Sequence, residues 1–156
     1  MQSAVATSVL ALPLDGEPRL FQFDHQCAPE EASEDLPFIA IGSGEAIADP
    51  FLAFLRRIFW PTTLPSLVDG VFAAFWTLQH AIDVNPGGVA EPKQIITIAK
   101  DAAGKVSARE LPDDELEDHV EAVRAAEKRL SEFKRELVQN DEPTEEGDGS
   151  MPPPPK

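Results

Sequence analysis

The stretch Ala40-Ile41-Gly42-Ser43-Gly44-Glu45-Ala46 decides the predicted fold of this chain of 156 residues. Within seven residues, an apolar run gives way to a glycine-rich turn, and the turn gives way to a helical pattern. The short apolar run at residues 38–41 predicts a brief buried strand. The Gly-Ser-Gly that follows predicts a sharp turn, since glycine adopts backbone angles that other residues resist. From residue 47 to residue 60, apolar side chains recur at helical spacing until Pro61 stops the helix. The stretch therefore predicts a strand, a turn and a helix in succession.

A second motif, Asp83-Val84-Asn85-Pro86-Gly87-Gly88, closes the next helix. That helix is predicted over residues 65–83, and apolar residues cover more than one of its faces, which is typical of a helix buried on most sides. Asn-Pro-Gly-Gly is a strong helix stop. Taken singly, both motifs have simple structural explanations. Ser43 can cap the first helix, and Asp83 can hydrogen-bond the turn that follows it.

Further strands and a third helix are predicted on either side of these motifs. Residues 15–18 (Asp-Gly-Glu-Pro) predict a hairpin turn, and residues 28–35 predict an acidic loop. Asp113 or Asp114 can cap a long amphipathic helix that is predicted to end at residue 138. The predicted strands are residues 5–12, 19–23, 38–41, 93–99 and 106–111. The predicted fold class is therefore α+β, with strand hairpins and three main helices.

One domain is predicted over residues 1–138, followed by a disordered, acidic and Pro-rich tail over residues 139–156. A chain of this length can bury about two-thirds of its unfolded surface, so a core is expected. The net charge of −15 repels nucleic acids and anionic membrane surfaces. The longest apolar region, residues 48–60, is interrupted by charge and falls short of a membrane span. We therefore expect neither nucleic acid nor membrane as a partner.

Metal ions and cofactors are not expected from the residues available. Cys27 is the only cysteine, which excludes an intrachain disulfide and a cysteine-based zinc site. His25, His80 and His119 lie on separate predicted elements, with no carboxylate spaced to join them in a metal site. His80 is expected to be a hydrogen-bonded core residue, and His119 is expected on a solvated acidic face. A lone thiol suits a reducing compartment, so the chain is predicted to be cytoplasmic.

Together and in this order, the two motifs resemble the C-terminal half of proteasome-type β subunits, including the bacterial two-component proteasome-like peptidases. The resemblance extends over residues 4–137 and covers about half of the family's fold. It implies half of an αββα sandwich, in which two stacked sheets lie between helical layers. Members of this family are threonine peptidases of the N-terminal nucleophile hydrolase class. Their mature N-terminal Thr is activated by its own amine, and a Lys and an Asp of the N-terminal half tune the site.

The resemblance assigns supporting roles to Ser43 and Asp83, which match the family's Ser at the Gly-Ser-Gly turn and its Asp after the second helix. The family's second supporting Ser has no match, because Pro86 stands where it is expected. No Lys occurs before Lys93, so the family's catalytic Lys is absent from the sequence. The site is therefore expected to be incomplete.

The sequence does not supply the family's nucleophile either. No Thr stands at the N-terminus, and Thr7 falls inside the first predicted strand. Ser3 lies near the N-terminus but lacks the Lys and Asp that the chemistry uses. The part of the fold that carries the chemistry is therefore expected to be missing, and the remaining part carries groups that orient others.

Three functions follow from this sequence as alternatives. The first is the C-terminal portion of a proteasome-like peptidase of protein degradation, truncated and inactive alone, which takes a peptide substrate only when completed. The second is a non-catalytic structural subunit of such an assembly, which Pro86 and the missing Lys favour. The third is a small adaptor that binds partners through its last helix and Pro-rich tail. The expected partners are further copies of the chain, an N-terminal half or another subunit, because an incomplete fold leaves sheet edges and apolar faces open.

Overall fold

Short antiparallel strands and three helices make up residues 6–140, the part of the chain that this computed structural model describes. These residues fall into two compact units, the first ending at Val120 and the second beginning at Glu121. The predicted α+β class with three main helices is confirmed at this level. In chain order, the elements are β1 (Ser8–Leu14), β2 (Glu17–Phe23), β3 (Pro29–Glu31), α1 (Glu45–Phe59), α2 (Leu67–Val84), β4 (Ile96–Lys100), β5 (Val106–Glu110) and α3 (Asp113–Asn140).

The first hairpin pairs β1 with β2 around a two-residue turn. Asp15 and Gly16 have φ angles of 53° and 80°. Two positive φ angles are typical of the two-residue hairpin turn whose twist matches the right-handed twist of the flanking strands. Leu14 therefore pairs directly with Glu17. The strands extend closer to the turn than the predicted residues 5–12 and 19–23, because only two residues are used to reverse the chain.

A third strand, β3, contradicts the predicted loop over residues 28–35. It pairs antiparallel with β2, with Phe21 opposite Glu31 and Phe23 opposite Pro29. Arg19 Nη1 contacts Glu31 Oε1 at 2.5 Å, which adds an ion pair between the two strands. A strand of three residues is too short to produce a period-2 pattern, and this one forms through its neighbour.

The segment at residues 37–41 is not a strand, and the strand predicted over residues 38–41 is therefore wrong. It runs without a turn or a bend, and each of its residues is half-buried. Within the described residues, no backbone hydrogen bond is made by Phe38, Ile39, Ala40 or Ile41. The apolar run is half-buried and not buried as predicted. Pairing also needs a neighbouring strand, and none lies beside it in the described structure.

The helix pair α1 and α2 forms the core of the first unit. Leu55 of α1 is fully buried, and Phe75 and Trp76 of α2 are almost as inaccessible. Phe51 packs edge-on against Trp76 with ring centroids 5.7 Å apart. The predicted helices over residues 47–60 and 65–83 are confirmed with small shifts, since α1 begins at Glu45 and α2 begins after its cap at Ser66.

A second sheet consists of β4 and β5, with Ile96 opposite Glu110 and Lys100 opposite Val106. The buried Thr97 side chain donates from Oγ1 to the carbonyl oxygen of Arg109 at 3.2 Å. The predicted hairpin is confirmed, although β4 begins three residues later than expected. Lys100 Nζ also reaches Glu17 Oε1 at 2.6 Å, which joins this sheet to the start of β2.

Helix α3 begins at Asp113, and Leu116 of its first turns is buried. Asp113 and Asp114 lie inside the first turn and not at the cap, so the predicted capping role is wrong for both. They still place negative charge at the positive end of the helix dipole. The helix continues to Asn140, two residues beyond the predicted end, and the predicted tail from residue 141 onward lies outside the described residues. Within residues 6–140, no helix combines the length and the apolar character that crossing a membrane demands.

Candidate functional site

The turn before α1 depends on glycine at two positions for two different reasons. Gly42 has a φ of 89°, a left-handed conformation that side chains resist, and no other atom would crowd a Cβ there. Gly44 has an ordinary φ of −92° and serves as the N-cap residue of α1. A Cβ on Gly44 would lie 3.0 Å from Cγ2 of Val89, so this glycine permits close packing. The turn was predicted from the sequence, but both glycines were expected to serve its backbone conformation, which holds only for Gly42.

Ser43, between these glycines, connects the two sequence motifs. Its Oγ donates a hydrogen bond to the carbonyl oxygen of Gly88 at 2.6 Å, across a separation of 45 residues. The alternative in which Ser43 caps α1 is wrong, because the N-cap residue is Gly44 and no side chain caps the helix. The structure therefore brings the Gly-Ser-Gly turn and the Gly-Gly turn together.

The Gly-Gly turn is held by the end of α2. Asn85 is the C-cap residue, and its backbone N–H donates to the carbonyl oxygen of Ala81 at 2.9 Å. The carbonyl oxygen of Asn85 then accepts from the N–H of Gly88 at 3.0 Å and of Val89 at 3.1 Å. A Cβ on Gly88 would collide with the Asn85 side chain. Gly88 is thus positioned by Asn85 to present its carbonyl oxygen to Ser43.

Asp83, the second predicted supporting residue, makes no hydrogen bond to this junction among the described residues. It is exposed in the last turn of α2, and its Oδ1 accepts a hydrogen bond from Nε2 of Gln79 at 2.8 Å. It therefore bonds backward along its own helix, and the alternative in which it bonds the following turn is not observed. Ser43 lines the adjoining cavity and Asp83 does not.

The cavity beside Ser43 has a volume of about 770 Å³ and opens between α1, α2 and the unpaired segment at residues 37–41. Its lining is mostly apolar, and Arg56 contributes its only charged side chain within residues 6–140. The principal apolar lining residues are Leu20, Phe38, Ile39, Ile41, Leu52, Trp60, Leu78 and Val89. No pattern in the sequence predicts the cavity, because an apolar helix face has the same sequence pattern whether or not another element covers it.

Polar groups around the cavity are already engaged or inaccessible. Thr77 Oγ1 donates to the carbonyl oxygen of Ala73 at 2.7 Å, and Ser43 donates to Gly88. Arg56 Nη2 reaches the carbonyl oxygen of Glu34 at 3.5 Å, and its buried Nε has no partner among the described residues. No carboxylate or imidazole lines the cavity in this part of the chain. The arrangement suits packing against another apolar surface and lacks the groups for acid–base chemistry.

Neither Thr7 nor Ser3 is expected to act as a nucleophile, and only Thr7 lies among the described residues. Thr7 is exposed and precedes β1, so its predicted placement inside the first strand is wrong. Ser3 lies outside the described residues. The described residues contain no group of three or more histidine, cysteine or carboxylate side chains that could hold a metal ion.

Two of the three histidines pack against aromatic rings. His80 is half-buried and stacks on Phe51, with ring centroids 4.3 Å apart. His119 is also half-buried and stacks on Phe75 at 5.9 Å. The predicted solvated position of His119 is therefore wrong, because the first turns of α3 turn this side chain toward α2. Both imidazoles contribute to packing in the first unit.

Comparison with known proteins yields no relative from which to assign a role. The chain matches no protein-family model, no curated protein and no solved structure. The resemblance described above therefore rests on the two motifs, their order and their spacing.

Proposed function

We propose that this chain is the C-terminal portion of a proteasome-like threonine peptidase of protein degradation, which requires an N-terminal half for catalysis. The observation that carries the proposal is the hydrogen bond from Ser43 Oγ to the Gly88 carbonyl oxygen. It joins the two motifs on which the resemblance rests, although 45 residues separate them. The bond fixes the position of one turn relative to the other, as the proposed site requires.

The open cavity is a second support for the proposal. The cavity's apolar lining fits a sheet from which strands are missing. So do residues 38–41, which are half-buried and make no backbone hydrogen bonds among the described residues. Buried backbone groups without partners are costly, so this segment favours a further strand beside it. An N-terminal half, in the same chain or another, would supply that strand and complete the αββα sandwich.

The same half would supply the nucleophile. The sequence before Lys93 contains no Lys, and the groups around the cavity are not arranged for proton transfer. In the proposed assembly, the cytoplasmic partner provides the Thr, Lys and Asp. Ser43 lies at the cavity and supports them, whereas Asp83 can do so only after release from Gln79. A peptide is the substrate of the completed site only.

A non-catalytic structural subunit is the second candidate, and specific observations favour it. The Ser43 hydroxyl already donates a hydrogen bond to the Gly88 carbonyl oxygen, and the Asp83 carboxylate already accepts one from Gln79. Pro86 replaces a residue that supports the nucleophile in the family the chain resembles. A subunit with these features keeps the fold and its contacts without contributing a working site.

Co-expression with the reading frame that precedes this chain tests the proposal. Hydrolysis of a fluorogenic peptide is measured for the chain alone, for the pair, and for the pair with the partner's first Thr changed to Ala. We expect activity only in the intact pair. Hydrogen exchange is followed in parallel at the amides of residues 38–41, which should exchange rapidly in the chain alone and become protected in the pair.

The two readouts separate the candidates. Protection of residues 38–41 without hydrolysis would favour the structural subunit over the peptidase. Peptide cleavage by the chain alone would contradict the incomplete site. If neither protection nor hydrolysis appears with any Thr-led partner, the proposed half-fold is wrong.

A further inference from the structure

The exposed apolar face of α3 in the second unit has the spacing of a coiled-coil seam. Its apolar residues between positions 123 and 137 alternate at intervals of three and four, which is a heptad pattern. The seam residues are Val123, which is itself buried, and Ala126, Leu130, Phe133 and Leu137. Leu130, Phe133 and Leu137 are 55%, 58% and 50% exposed. Three large apolar side chains on one helix face are thus at least half exposed among the described residues.

Charged residues flank this seam on both sides, as at the e and g positions of a heptad. Glu127 and Lys134 lie on one side, and Arg129 and Glu136 lie on the other. None of these four forms an ion pair among the described residues. On the opposite face of the same helix, Lys128 and Glu132 do pair, at 3.9 Å. The flanking charges are therefore available to a partner helix.

From this pattern we infer that α3 pairs antiparallel with α3 of a second copy of this chain. In that arrangement Leu130 faces Phe133 of the other copy, and Ala126 faces Leu137, so each large seam residue gains an apolar neighbour. The pairing is closed by two-fold symmetry, since each contact occurs twice. The inference does not depend on the proposed peptidase, because it rests on the second unit alone.

The charges select the antiparallel direction. In an antiparallel pair, the e positions of one helix lie beside the e positions of the other, and the g positions lie beside the g positions. Glu127 therefore meets Lys134 of the other copy, and Arg129 meets Glu136. Each of these attractive pairs occurs twice. A parallel pair would instead bring Arg129 beside Lys134 of the other copy, which is repulsive. The four unpaired charges are thus all satisfied in one direction only.

Sedimentation equilibrium of the full chain, over about a hundredfold range of concentration, tests the inference. The wild-type chain should show a concentration-dependent doubling of mass. Lys134→Glu replaces two attractive contacts by two repulsive ones and should raise the dissociation constant by about tenfold at low salt. Glu127→Lys combined with Lys134→Glu restores the attraction with reversed signs and should return the constant to its wild-type range.

Lys128→Glu is the matched control, since it makes the same charge change on the far face of the same helix. It should leave the mass distribution unchanged. Circular dichroism of each variant shows whether the helix is retained. Equal behaviour of Lys134→Glu and Lys128→Glu, at whatever mass the chain adopts, would overturn the inference. Tighter association of Lys134→Glu would also overturn it, because only a parallel pair gains from that change.

Discussion

At the scale of single residues, the turn at residues 42–44 shows that two glycines separated by one residue can be needed for unrelated reasons. Gly42 carries the left-handed backbone, while Gly44 leaves room for Val89. Substitution of either glycine by Val should damage folding, but the cause differs. At Gly42 the cost comes from the backbone of the turn, and at Gly44 it comes from displacing the loop after α2.

Gly42→Ala should lower the free energy of unfolding by about 1 kcal/mol, because a left-handed conformation is unfavourable for a residue with a Cβ. Gly70→Ala is the control, since Gly70 lies in the first turn of α2 with open space around its Cβ position. The control should raise the same free energy by about 0.5 kcal/mol through helix propensity. Urea denaturation measures both variants, and a loss of similar size in both would contradict this account of the turn.

Ser43→Ala should lower the free energy of unfolding by about 1 kcal/mol, the usual net value of one hydrogen bond. Ser43→Thr keeps the hydroxyl and should lose less. Thermal or urea denaturation compares the two variants with the wild-type chain. If both variants lose the same stability, then the hydroxyl bond to Gly88 is not what joins the two turns. Peptide hydrolysis by the chain alone is expected to be absent in all three proteins.

At the scale of elements, the start of α2 is stabilised by a reciprocal capping box. The backbone N–H of Asp69 donates to Ser66 Oγ at 3.3 Å, and the backbone N–H of Ser66 donates to Asp69 Oδ2 at 3.0 Å. The Ser66 hydroxyl also donates to Asp69 Oδ2 at 2.7 Å. These bonds from Ser66 hold the pKa of the Asp69 carboxyl below its ordinary value of 3.8. They fix the helix at the point where the core begins.

Ser66→Ala should lower the free energy of unfolding by about 1 kcal/mol through loss of the cap. Urea denaturation at neutral pH measures this change. Ser66→Thr is the matched control, because Thr is also a favoured cap residue, keeps the hydroxyl that donates to Asp69 and should retain most of the stability. Equal losses in the two variants would mean that the cap does not contribute.

The cap also makes a prediction about pH. Because the pKa of Asp69 is lowered in the folded chain, its contribution is present above the unfolded pKa and is lost as the pH falls through the folded pKa. Between about pH 5 and pH 2, the wild-type chain should therefore lose more stability than Asp69→Asn. Denaturation curves at several pH values measure the difference. Parallel pH profiles for the two proteins would contradict it.

At the scale of the molecule, the described chain leaves large apolar surfaces without neighbours. Leu55 is its only large side chain that is fully buried, whereas Leu10, Leu14, Ile58 and Ile96 are among many that stay about half-exposed or more. Exposed apolar patches of this extent are typical of interaction surfaces. The cavity in the first unit and the seam in the second each present such a surface, and each proposal accounts for one of them.

Ala74→Gln should reduce the binding of an apolar dye such as anilinonaphthalene sulfonate by the native chain. Ala74 lies in α2 and lines the cavity, so a longer amide side chain would fill part of the space and make it more polar. Ala125→Gln on α3 is the control, since that residue is exposed and distant in sequence from the cavity residues. Dye fluorescence that falls equally in both variants would show that the cavity is not the binding surface.

By itself, the sequence determined the elements that local signals control. The glycine turns, the helix stop at residues 85–88 and the apolar periods of α1, α2 and α3 all appear near their predicted positions. These features depend on residues within a few positions of one another, so the local chain carries enough information to predict them.

Only the tertiary structure decided which segments pair and which side chains meet. The segment at residues 37–41 has the composition of a strand, but no strand lies beside it in the part of the chain that the structure describes. In contrast, β3 lacks a strand pattern and pairs with β2. Ser43 meets Gly88, while Asp83 turns back to Gln79. Strand pairing and side-chain contacts depend on residues far away along the chain, so a local pattern does not predict them. An apolar segment without a neighbouring strand does not form a strand, because its backbone groups find no hydrogen-bond partners.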